Sequence, residues 1–212
     1  MIPKLDISSP ELFLRCFYIP RIHGPKENMD AAIKTFKDFF QEHGEIILAE
    51  IEKLSGFQWT KDRIPVYLIP NSFVSPPYSF CKDPIEDDLP GVIQKVDVSG
   101  LTQQAWVHIH ELVHVNQHQS EFYNLHGLTR ERKKNIDLAE LGADIITIYI
   151  VKKLFGENSE YEKDFWNFLQ NTSEKNKRKY DILIKYIENW DLNNNNLRYY
   201  LEQNNSILEN LL

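Results

Sequence analysis

His110-Glu111-Leu112-Val113-His114 lies in a helical pattern over 102–120 whose neighbouring residues Trp106, Val107, Ile109, Leu112, Val113 and Val115 are largely apolar. That composition predicts a helix buried in the middle of the fold. Residues four apart stand one turn apart on the same helix face, so both imidazoles can reach a single ion, with Zn–N bonds of about 2.0 to 2.1 Å. Glu111 is placed beside the first histidine, where a carboxylate can take a proton from a metal-activated water. Five of the seven histidines, His108, His110, His114, His118 and His126, crowd into this region. Chance would produce such a pentapeptide in roughly 3% of chains of this composition. Burying His110, Glu111 and His114 without partners would cost on the order of several kcal/mol, and ligating a metal removes that cost.

A catalytic zinc site takes three protein ligands and keeps one position open. The extended spacing H-E-x-x-H-x-x-G-x-x-H is excluded, because Gln117 and Ser120 occupy the Gly and His positions. His118 falls a further turn along, about 12 Å from His110 up the axis, too far for all three histidines to share one ion. A Cys81 thiolate is conceivable, without a supporting motif around it. The better third ligand is on the next helix, where Asp137-Leu138-Ala139-Glu140-Leu141-Gly142-Ala143-Asp144 puts Glu140 and Asp144 on one face. Glu140 can complete the coordination and Asp144 can hold the remaining ring nitrogen of a ligating histidine. The competing reading of Asp137-x-x-Glu140 is an N-terminal helix cap.

With H-E-x-x-H at 110–114 and E-x-x-x-D at 140–144, the chain resembles the gluzincin zinc metallopeptidases. The Glu-Leu-Gly-Ala-Asp form and the small size are most similar to the single-domain minigluzincins, over about 92–155. The resemblance implies a zinc-dependent peptidase with a strand-built upper lobe, a helical lower lobe and the active-site helix at the cleft between them. It also implies that His110, His114 and Glu140 bind Zn2+, that Glu111 is the general base and acid, and that Asp144 orients a histidine. Such enzymes usually add a Tyr, His or Arg for the oxyanion. Tyr123, His126 and Tyr149 are the candidates here, none favoured by spacing, and Tyr149 is expected to face away. A substrate peptide commonly lies along an exposed sheet edge in these proteins, for which 91–98 is the candidate.

Outward from this helix, 29–54 carries the three-and-four spacing of a packing helix, 64–70 and 91–98 read as strands, and 71–90, with four prolines, as an irregular loop. Helical patterns recur at 137–155, 161–169, 177–190 and 197–212. The basic run 130–134 reads as a solvated loop or helix start, and 193–196 as a turn. Trp59, Trp106, Trp166 and Trp190 read as core anchors, and His108, about 200° around the helix from His110, as a non-ligand. The expected fold class is α+β in one domain, 1–212, with a stranded upper lobe at 1–101 and a helical lobe carrying the metal site at 102–212.

At 212 residues, 42% hydrophobic and 26% charged, the chain can bury a core, which excludes wholesale disorder. A net charge of −7 gives no field to gather nucleic acid or anionic lipid, so the expected partner is a peptide or protein substrate. No signal-peptide pattern and no long apolar run is present, so the expected location is cytoplasmic, without a membrane span. Cys16 and Cys81 form no C-x-x-C pair and read as two buried thiols. Two other functions fit the same residues: a non-catalytic protein with a structural metal site or buried His/Glu network, and a dedicated regulatory protease for one protein partner.

Overall fold

Residues 64–68 are buried without a break, as expected of a strand covered on both faces of a parallel sheet. The computed structural model describes residues 1–8, 26–70, 78–80, 91–96, 100–120, 129–172 and 196. Within it, β2 (Arg63–Pro70) pairs in parallel with β1 (Lys4–Ser8) on one side and β4 (Gly91–Val96) on the other. A short β3 (Tyr78–Phe80) runs antiparallel to β4, so the sheet order is β1-β2-β4-β3. Parallel neighbours need a long crossover, and α1 (Lys26–Ser55) provides it between β1 and β2.

One stripe of α1, from Phe36, Phe39 and Phe40 to Ile47, Leu48, Ile51 and Leu54, is buried. Each such side chain contributes about 1.5 to 3 kcal/mol by leaving water. Gly56 ends the helix at φ 78°, its N–H donating to the Glu52 carbonyl at 3.0 Å. A Cβ there would also come within 2.6 Å of the end of the Asn196 side chain, which can shift aside, so the positive φ is the main reason for glycine.

Three further helices follow, α2 (Leu101–Ser120), α3 (Thr129–Phe155) and α4 (Glu160–Thr172). The architecture is α+β. α2 packs against α1, α3, α4, β3 and β4, and buries Ala105, Trp106, Ile109, Leu112, Val113 and Val115 among them. Its polar residues are anchored accordingly. Trp106 Nε1 donates to Asp164 of α4 at 2.9 Å, and Asn116 donates to the Phe57 carbonyl at 3.0 Å while accepting from Ser55 Oγ at 2.7 Å. His108 is fully buried beside Gln94 of β4, edge-on to Phe36 and Phe40, and burial lowers its pKa to about 3.

Three expectations are corrected. The span 71–90 is not wholly irregular, since three of its residues form β3. Among the described residues β4 lies between β2 and β3, so its first half, 91–93, is not an exposed sheet edge; β3 pairs with that half alone. α3 begins at Thr129, which places Asp137 well inside the helix and removes the capping reading of Asp137 and Glu140; the run 130–134 lies at the helix start, the second of the two readings of that run. The proposed helices at 177–190 and 197–212, Trp190, Cys16 and Cys81 lie outside the described residues. No helix among the described residues is long and apolar enough to cross a membrane.

The turn from α3 to α4 brings Asp164 to Trp106. Gly156 (φ 85°) and Asn158 (φ 62°) reverse the chain, and Ser159 caps α4 by accepting the Glu162 N–H at 3.3 Å. Buried Glu162 accepts from the Asn158 N–H at 2.6 Å and from Trp166 Nε1 at 3.1 Å, with Lys152 Nζ 3.3 Å away. Burial alone would raise its pKa, and these donors outweigh burial and lower it. A carboxylate depressed in the folded state stabilises above its unfolded value of about 4.3, and the contribution vanishes as pH falls through the folded value. Glu162→Gln is therefore expected to cost about 1 to 2 kcal/mol at pH 7. Urea unfolding of both proteins at several pH values checks this: the difference must shrink between about pH 4.3 and the folded value.

Candidate metal centre

His110 and His114 stand one turn apart on α2, and Glu140 and Asp144 one turn apart on the facing α3. The His110 Nε2 and His114 Nε2 atoms are 3.0 Å apart. Glu140 closes the triangle, its Oε2 3.6 Å from His110 Nε2 and its Oε1 3.4 Å from His114 Nε2. These three residues form a group that could hold a metal ion. A tetrahedral zinc ion with bonds near 2.0 to 2.1 Å has ligand-to-ligand edges of roughly 3.3 Å. The His110–His114 edge is shorter than that value and the two carboxylate edges run to different oxygens of Glu140, so holding one ion through a single carboxylate oxygen requires the side chains to adjust.

Electrostatics point the same way. Burial alone would lower the pKa of His110, but contacts with Asp144 and Glu140 and the charges of Asp144 and Glu111 outweigh it and raise it to about 10. Glu140 is the converse case: burial pushes it up, and His110 and His114 hold it well below the usual carboxylate range. The carboxylates around His110 favour positive charge there, and a metal ion would have to displace the His110 proton to bind. Asp144 Oδ1 lies 3.2 Å from His110 Nδ1, at ion-pair distance but without full hydrogen-bond alignment. The His110 and His114 side chains are 14% and 10% exposed, whereas that of Glu140 is 39% exposed, so one side of the group faces solvent.

Glu111 follows His110 on α2, half-buried and within Coulombic range of its ring. His108 belongs to the core, and His118 is not part of the triangle. Tyr149 is half-buried and packed against the core, with its phenol pKa raised by burial. Tyr123 and His126 lie outside the described residues. Gln117 is the residue that reading for ligands passed over: its Oε1 is 2.9 Å from His114 Nδ1, and its Nε2 donates to the Ala139 carbonyl at 3.0 Å. The available signal was its position, three residues after His114 on the same helix face.

Compared with known protein families, curated proteins and solved structures, the chain matches none.

Protein purified without chelator is expected to carry about one zinc per chain by elemental analysis. His114→Ala and Glu140→Ala should each lose most of it. Zinc retained in Glu140→Ala would remove that residue from the centre.

Proposed function

We propose that this protein is a zinc-dependent hydrolase, in its simplest form a metallopeptidase constructed as gluzincins are. The observation that carries the reading is a group of two imidazoles and a carboxylate whose donor atoms lie within 4.8 Å of one another, with Glu140 partly exposed and a glutamate next to His110 on the same helix. Structural zinc sites are typically closed by four protein ligands, whereas catalytic ones have three and leave a position for water. A zinc ion at this group would supply Lewis-acid polarisation of a carbonyl and a nucleophilic water near neutral pH.

The roles of the chain's own residues follow the gluzincin pattern. His110, His114 and Glu140 bind. Asp144 steadies the His110 ring from behind. Glu111 takes the proton of the attacking water and returns it to the leaving amine. Peptides or proteins are the substrates that this chemistry and the resemblance to gluzincins favour.

A second reading, a non-catalytic metal site or polar network, draws on the fact that His110 pairs with both Glu140 and Asp144 and offsets part of their negative charge. Glu111 separates the two. In a peptidase, Glu111→Gln keeps its zinc and loses about 10² to 10⁴-fold in kcat on a panel of unstructured peptides. If the wild type cuts none of them and only a folded partner, a dedicated protease is indicated. If neither peptides nor proteins are cut by zinc-loaded wild type, the hydrolase reading fails.

A further inference from the structure

We infer that Gln117 is a positioning residue of the metal centre, which fixes the tautomer of His114 and ties it to the backbone that carries Glu140. This rests on the metal reading above. Gln117 is 2% exposed and bridges α2 to α3.

The orientation of its amide follows from its partners. The Ala139 carbonyl can only accept, so the Gln117 amide nitrogen must face it at 3.0 Å. The amide oxygen then faces His114 Nδ1 at 2.9 Å, and being an acceptor it requires the proton of the neutral ring on Nδ1. The lone pair is thereby left on Nε2, the nitrogen that points into the triangle with His110 and Glu140. Rotating the amide by 180° would set two acceptor oxygens 3.0 Å apart and drive the ring proton to Nε2, where it would block ligation. Ala139 immediately precedes Glu140, so one side chain governs the ring of one ligand and the local position of another. Asp144 holds His110, and Gln117 does the corresponding work for His114.

The test uses the full-length chain with zinc as the probe. Zinc affinity is measured by competition with a chromophoric chelator for wild type, Gln117→Met and Gln117→Glu. Gln117→Met keeps the shape and removes both bonds, and should weaken zinc binding about 10 to 100-fold. Gln117→Glu keeps the acceptor for Nδ1 but sets its second oxygen against the Ala139 carbonyl, so it should recover only part of that loss. A packing role alone predicts no such rescue. Independently of any variant, 15N chemical shifts of His114 in zinc-free wild type should show Nδ1 protonated and Nε2 bare. Zinc binding by Gln117→Met within twofold of wild type, or a His114 proton found on Nε2, overturns the role of Gln117 alone. A wild type that takes up no zinc overturns the metal centre itself, and this inference with it.

Discussion

A helix buried along most of its length must find partners for most of the polar side chains that it takes inside, and the rest of this structure is arranged around that requirement. α2 meets three helices and two strands, and it brings His108, Gln104, His114, Asn116 and Gln117 into the interior with it. Leaving a polar group unpaired costs about 1 to 3 kcal/mol, so several such groups would rival the whole stability of a domain. Each neighbour answers part of the demand: β4 offers Gln94 to His108, the end of α1 offers Ser55 to Asn116, and α3 offers Glu140, Asp144 and the Ala139 carbonyl. The candidate metal centre is where these demands are concentrated, with two imidazoles and two carboxylates meeting across one helix pair.

Much of this was legible in the residues themselves. Apolar spacing placed α1 and α2 closely, because periodic stripes encode burial directly. The i, i+4 geometry of a helix also made His110 with His114, and Glu140 with Asp144, recognisable as same-face pairs. What the residues did not disclose was partnership across elements. Lys4–Ser8 is too short and too polar to announce a strand, and Tyr78–Phe80 sits in a proline-rich span; both acquire strand geometry from the neighbours they pair with. Likewise 91–98 alternates as a half-exposed edge would, yet the first half of β4 is flanked on both sides, since register and order in a sheet are tertiary properties.

Gln117 shows the same limit at the level of a single side chain. Its place in the pattern excluded an extended histidine motif, and it therefore read as an absence. Its actual contribution depends on Ala139, 22 positions away, and only the packing of α3 against α2 brings that carbonyl within reach. The first turns of α3 teach a related lesson. Four basic residues in five read equally as a solvated loop or a helix start when taken alone; they begin the helix that carries Glu140 two turns earlier and turn Asp137 from a cap into an interior residue.

The triangle of donors also limits which ions it can admit. Calcium takes six to eight oxygens at about 2.3 to 2.6 Å and magnesium a nearly regular octahedron of oxygens, and neither matches two imidazole nitrogens and one carboxylate at such short mutual spacing. Imidazole donors suit the later first-row ions, whose intrinsic affinities rise from manganese to copper whatever the protein. The centre can thus reject hard alkaline-earth cations by shape and donor type, but discrimination among zinc, nickel and copper is not built into three ligands of this kind. Which of those ions fills it is governed by the supply that the protein meets as it folds.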